Sequence, residues 1–272
     1  MRVADVVRLL EQRYPTSWAE DWDRVGLVLG EPDAPVSRVL LAVDCDESTA
    51  AEAVEVGAQV LLTHHPLLLR GVSSVAPTTY KGRIVHRLIR AGVALYTAHT
   101  NADVANPGVS DALAARLGLL DLRPLVPVGD DGRGHGRVGR LPEPVDLEGL
   151  TRAATAALPF TAAGVRAGGD PGRIISTVAV CGGAGDSFLA DAVRAGVDAY
   201  LTADLRHHPA SEHLAGDGPA LIDAAHWATE RPWLDDVAAY LHAAAGVETI
   251  VSDLETDPWT LHVTSSTREL PS

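Results

Sequence analysis

Two stretches of this chain, AVEVGAQVLLTHH at 53–65 and AVRAGVDAYLTAD at 192–204, superimpose without a gap. Ala, Val, Gly, Leu and Thr coincide, in one register of helix end, glycine stop and strand. A second pair follows further on, LYTAHTNAD at 95–103 over IDAAHWATE at 222–230, which sets His99 on His226 and Asp103 on Glu230. Repetition at this spacing confines the fold more tightly than any single element does, because each copy must bury a similar sheet. The expected fold class is therefore α/β, with two similar α/β lobes from an internal duplication and a metal site between them. A chain of 272 residues suffices for two such lobes with a sizeable core.

The pattern along the chain agrees with alternating strands and helices. Strands are expected at 39–43, 59–63, 94–98, 177–181, 199–202 and 220–225. Helices are expected at 48–57, 83–92, 187–196 and 230–244, with another at the N-terminus, where Val3, Val6, Val7 and Leu10 share one face. The stretch 124–144 is rich in Gly, Pro and charge, so it marks a lobe boundary or a hairpin. This divides the chain into lobes 1–127 and 128–272, with an approximate boundary across which terminal elements can be exchanged.

In an open α/β sheet, the residues at the carboxyl ends of the strands line the ligand crevice. His64 and His65 end an apolar strand and precede Pro66, whose ring keeps the segment extended. Neighbouring side chains on an extended segment diverge. They chelate one ion poorly but can serve two, and paired catalytic metals lie about 3.5–4 Å apart. His226 and Glu230 stand at i, i+4, on one face of any helix that starts there. Glu230 is the natural bridging carboxylate and Asp103 a terminal ligand. The set His64, His65, Asp103, His226 and Glu230 would hold two divalent metal ions per subunit (Zn, Fe, Mn or similar), since mixed imidazole and carboxylate ligation suits several ions.

Composition narrows the partners. The formal net charge of −14 opposes general nucleic-acid binding and anionic membrane surfaces, while a small-molecule substrate, even a nucleotide, stays compatible if metals supply positive charge. Two cysteines, Cys45 and Cys181, point to no disulfide framework. The N-terminus lacks the features of a signal peptide and no run approaches the roughly 20 apolar residues of a membrane span, so the chain reads as cytoplasmic.

Several blocks together resemble the Nif-type dinuclear metal-centre family, whose members carry the name GTP cyclohydrolase 1 type 2 homologue. They are WDRVGL (22–27), THHP (63–66), HTNAD (99–103), CGGAGDS (181–187), YLTAD (200–204) with His207 and His208 following, and HWATE (226–230). The resemblance runs from about residue 18 to 232. It implies a two-lobed subunit with paired metals at the lobe interface, the same five ligands, and a homohexameric toroid. Larger members carry an inserted third domain that this chain lacks. Arg24 and Ala203 depart from the family's usual Asn and Gly; neither is a ligand.

The resemblance implies a metal-dependent hydrolase similar to GTP cyclohydrolase 1 type 2, in which metal-activated water attacks a purine nucleotide ring or a related substrate. The alternatives are a metal-dependent phosphoesterase and a non-catalytic, metal-binding or regulatory hexameric assembly. Asp204 and His208 are the candidate catalytic residues. Asp204 could orient a ligand histidine, shuttle protons or cap a helix; His207 and His208 could serve as acid or base. His99 is expected behind the ligands. The glycine-rich 181–187 loop suits either an anion or close strand–helix packing.

Overall fold

The computed structural model describes residues 1–263. The first unit runs α1 (Val3–Arg13), β1 (Gly26–Leu29), β2 (Arg38–Ala42), α2 (Glu47–Glu55), β3 (Val60–Thr63), α3 (Tyr80–Ala91), β4 (Ala94–Thr97) and the short α4 (Thr100–Asp103). Next come α5 (Val109–Arg116) and an antiparallel hairpin, β5 (Leu120–Pro127) with β6 (Gly134–Asp146). The second unit follows as α6 (Leu147–Ala157), β7 (Val165–Gly168), β8 (Ile174–Ala184), α7 (Leu189–Ala195), β9 (Ala199–Ala203), α8 (His207–Ala215), β10 (Ala220–Ala224) and α9 (His226–Ala245). β11 (Glu248–Val251) is the last strand of the described residues.

The strand orders are β1-β4-β3-β2-β11 and β7-β10-β9-β8-β6-β5, so the two sheets repeat one another. Each has three adjacent parallel strands, β2, β3, β4 or β8, β9, β10, and each carries an antiparallel strand, β1 or β7, on the outer side of the third. The duplicated α/β fold read from the sequence is the observed one. The sheets differ at their other edges. There β11 returns to pair parallel with β2, while β6 pairs antiparallel with β8 and β5 lies outside it. The glycine- and proline-rich stretch is thus a hairpin of the second sheet. A division by sheet membership would begin the second unit near Leu120, and residues 264–272 lie outside the described ones.

The repeat persists in atomic detail. Gly57 and Gly196, aligned in sequence, both take the left-handed conformation at φ +66° that ends a helix without a Cβ clash. Two residues further on, Gln59 Oε1 accepts from the backbone of Ser37 and Arg38 at 2.9 and 3.0 Å. Its counterpart Asp198 accepts from Ser176 and Thr177 N–H at 2.9 and 2.8 Å. Each side chain ties the start of one parallel strand to the start of the next.

Strand residues alternate between two cores, as the two-residue period of a strand requires. Val39, Leu41, Val60, Leu62 and Tyr96 face a central core that they share with Val178, Val180, Leu201 and Ile222 of the other sheet. Leu40, Leu61 and Leu95 face the opposite way, under α2 and α3. Ala179, Tyr200 and Leu221 do the same on the far side, with residues of α7 and α8. Between the sheets, α1, α5 and α9 supply Leu10, Leu113, Trp233 and Leu241 to the central core. Both sheets therefore cover one apolar interior, and at its end the carboxyl ends of the parallel strands meet.

Local differences from the sequence reading have simple causes. α3 begins earlier than expected because Thr79 caps it, accepting from Gly82 N–H at 3.1 Å. α9 begins at His226, so the i, i+4 geometry is realised from the helix's first residue. α8, short and without a buried residue, has no apolar stripe by which to be read. Cys45 and Cys181 are free and buried.

Candidate metal centre

β3 delivers His64 and His65, β4 delivers His99 and then α4 with Asp103, and β10 delivers α9 with His226 and Glu230. His64 is fully buried, and its Nδ1–H donates to the Ala98 carbonyl at 2.8 Å. That bond turns Nε2 toward the carboxylates, 3.4 Å from Glu230 Oε1 and 3.6 Å from Asp103 Oδ1. His65 Nε2 lies 3.0 Å from Glu230 Oε2, and His226 Nε2 lies 3.0 Å from Glu230 Oε1. The carboxylate of Glu230 is thus central to three imidazoles that come from both halves of the chain.

Three rings are held from behind by carboxylates. His65 Nδ1 is 2.7 Å from Asp44 Oδ1, His99 Nδ1 is 2.9 Å from Asp23 Oδ1, and His226 Nδ1 is 2.7 Å from Asp204 Oδ2. An Nδ1–H donated to a carboxylate fixes ring orientation and tautomer and leaves the Nε2 lone pair for a cation. Asp23 is itself buried and also accepts from Thr100 N–H at 3.0 Å. The backing residues Asp23 and Asp44 had no role in the sequence reading. The only hint was the position of Asp23 inside the WDRVGL block.

Charge is concentrated here. Burial opposes protonation of His65, but the Glu230 carboxylate and the bond to Asp44 prevail and carry its pKa up to about 10. Glu230 raises His226 against burial, with help from Asp204, to about 11. Burial likewise opposes protonation of His64, and Glu230 and Asp103 overcome it to raise its pKa. Burial pushes Asp103 up. Glu230 is held well below the usual carboxylate range despite burial, by the surrounding histidines. The hydrogen bond from His226 lowers Asp204. A cluster of this kind marks a functional site more often than a structural one.

The residues fit a metal. Buried polar atoms ordinarily find partners, yet His64 Nε2 is buried here without a hydrogen bond, and buried Glu230 Oε2 has only its ion-pair contact with His65 Nε2. The donor atoms of His64, His65 and His99 lie within 4.8 Å of one another, and so do those of His65, His226 and Glu230. This buried His/Glu cluster could bind metal, and His99, expected behind the ligands, stands among the donors. Gly183, from the glycine-rich loop, comes so close that a Cβ would sit 2.4 Å from Glu230 Oε1 and 3.0 Å from His226 Nε2. At Gly183 the cluster leaves no room for a side chain, while Gly185 is pressed instead against Thr202 and Tyr200. Asp204 is half-exposed, at φ +57°, and backs His226 rather than capping α8. His208 is exposed beside His207 at the start of α8 and lines neither cleft of the cluster.

Those clefts differ in size. One, of about 740 Å³, reaches His65 and His226 past Asp204, Arg166 and Trp259. The other, of about 310 Å³, reaches Asp103 and Glu230 past Trp22, His135 and Phe188. Among the described residues no helix is long and apolar enough to cross a membrane.

Several proteins of similar sequence share a name. A Streptomyces coelicolor protein named GTP cyclohydrolase 1 type 2 homolog is 52% identical over 273 residues, covering 97% of this chain and 96% of its own. A Mycobacterium bovis protein of the same name is 39% identical over 371 aligned residues that cover 96% of this chain and 97% of its own, so it carries inserted sequence that this chain lacks. The crystal structure of a Staphylococcus aureus hypothetical protein superimposes with a TM-score of 0.88 at 28% identity, covering 96% of this chain and 99% of that one. The Duf34/NIF3 (NGG1p interacting factor 3) family matches residues 1–258, and with this fold and these relatives the chain belongs to that family.

Proposed function

We propose that the chain is a metal-dependent hydrolase that holds two divalent cations on His64, His65, Asp103, His226 and Glu230. The observation that carries this reading is the buried Glu230 carboxylate, surrounded by imidazoles from both halves and facing His64 Nε2, which is buried without a hydrogen bond. Bound divalent cations would supply Lewis acidity, polarising the substrate and acidifying the attacking water. Asp23, Asp44 and Asp204 keep the rings aimed, so the donor set needs little reorganisation. Asp204 also lines the larger cleft, where its exposed carboxylate can take and return a proton. A purine nucleotide is the substrate suggested by the name of the relatives, and a hexameric ring is the assembly suggested by the sequence resemblance.

The test is to load the purified chain with zinc, manganese or iron(II) and follow formate release from GTP, with phosphomonoester and phosphodiester panels alongside. Turnover that disappears in both His65→Ala and Glu230→Ala supports the assignment. A rate that survives either substitution removes these residues from the site. Metal binding without turnover on any panel favours a non-catalytic metal-binding assembly, and light scattering in solution tests the sixfold state.

A further inference from the structure

The smaller cleft is built differently from a nucleotide triphosphate site. Its described lining includes three carboxylates, Glu20, Asp103 and Glu230, and neither lysine nor arginine. Its walls are aromatic. The Trp22 ring stands T-shaped to His99, at 5.9 Å and 81°, with 54% of the residue open. Phe188 stacks with His135 at 5.4 Å and 23°. His135 Nε2 in turn lies 3.5 Å from Glu20 Oε1 at the rim. Flat hydrophobic faces bind flat ligands because stacking and area burial act together. Carboxylates accept ring N–H donors, and three histidines also line the cleft, but no guanidinium or ammonium stands there to grip a polyphosphate. The volume of about 310 Å³ is at the small end for ligand sites and suits one ring system rather than an extended nucleotide.

We propose that this cleft is a binding site for a neutral or cationic planar heteroaromatic ring, taken by Trp22 and Phe188 beside Glu20 at the edge of the metal centre, and that it offers no lysine or arginine to a polyphosphate tail. The proposal deepens the hydrolase reading by naming the substrate class for the same centre. Its own test is binding, which does not require the metals.

The full-length chain, metal-free and metal-loaded, is titrated calorimetrically with guanosine, adenosine and pterin, and with ribose as the non-aromatic control. GTP and ATP are compared with their nucleosides on the metal-free chain. At least one ring is expected to bind in both states and ribose in neither, with each triphosphate no tighter than its nucleoside. Trp22→Ala is expected to weaken the ring about five- to a hundredfold, and Trp22→Phe to restore most of it. Phe188→Ala gives a second reading at the other aromatic side chain of the lining, and circular dichroism checks that each variant is folded. The proposal is overturned if no ring binds at millimolar concentration, if a triphosphate binds the metal-free chain more than tenfold tighter than its nucleoside, or if folded Trp22→Ala binds as the parent does. Metal uptake intact with ring binding absent sinks this proposal alone; ring binding intact with metal uptake absent sinks the hydrolase reading alone.

Discussion

At the scale of single residues, the centre consists of charges that sustain one another. Glu230 is ionised in the interior because three imidazoles face it, and two of those rings are raised to about 10 and 11 because Glu230 faces them. At neutral pH the metal-free chain therefore carries protons on His65 and His226, and a cation must displace them. Metal affinity is expected to rise with pH between about 7 and 10, by about tenfold per unit for each proton released. Proton release on zinc addition in weak buffer measures it, and a pH-independent affinity would contradict the charge arrangement. The ion pairs themselves work in the other sense. Because the folded pKa values are raised, their contribution to the metal-free fold is complete below about pH 6.5 and is lost as pH climbs through about 10 to 11. Asp44→Asn keeps the shape but weakens the acceptor behind His65, and should lower metal affinity about 10- to 100-fold in competition with a chelating dye. The ligand-type residues were legible because functional side chains recur at the same place in both repeats. Asp23 and Asp44 were not, since each meets its histidine through space, Asp23 from the loop before β1 and Asp44 from just past the end of β2, and no local pattern announces such a contact.

Among the elements, β3 and β9 were the easiest to read: fully buried, carrying the matching Thr63 and Thr202 at or next to their last residue, and preceded by a glycine stop. β1, β7 and β11 gave little signal, because an edge strand of four residues is defined by its partner more than by its own composition. The clamps at Gln59 and Asp198 show what the duplication conserved at this level. Replacing Asp198 by Ala strands Ser176 and Thr177 N–H at the start of β8 and is expected to cost about 1–3 kcal/mol by urea denaturation. The backbone bonds hold Asp198 below the usual carboxylate range against the effect of burial, so its contribution is present above pH 4 or so and fades as the pH falls through the lowered value. Gln59→Ala should show no such acid dependence. Gly183→Ala is a sharper test of the loop. Its Cβ would collide with Glu230 and His226, and at φ +68° the residue is strained besides. Loss of metal binding together with a stability cost of about 1 kcal/mol or more is expected, and unaltered metal uptake would show that the loop can retreat.

For the molecule as a whole, the sheets are not independent bodies. They share a central core, α9 packs between them, and β11 carries the end of the second unit back onto the first sheet. Calorimetry is expected to give one cooperative transition, and a fragment ending near residue 119 should be unfolded alone, lacking both β11 and half of its core. Two separated transitions would indicate autonomous lobes. The fold class was readable because helix and strand periods recur in two copies. The crossing of β11 was not, because a late strand's choice of partner is a property of the assembled surface.

Glu230 and His226 reach the cluster from one half of the chain, His64, His65 and Asp103 from the other. A cation seated among them would be a reversible rivet between the halves, and its grip would be felt wherever the molecule comes apart. Chelation would then soften the entire protein rather than one loop, and a thousandfold excess of metal over its dissociation constant would add about 4 kcal/mol to global stability. For this chain, the supply of metal would also set the lifetime of the fold.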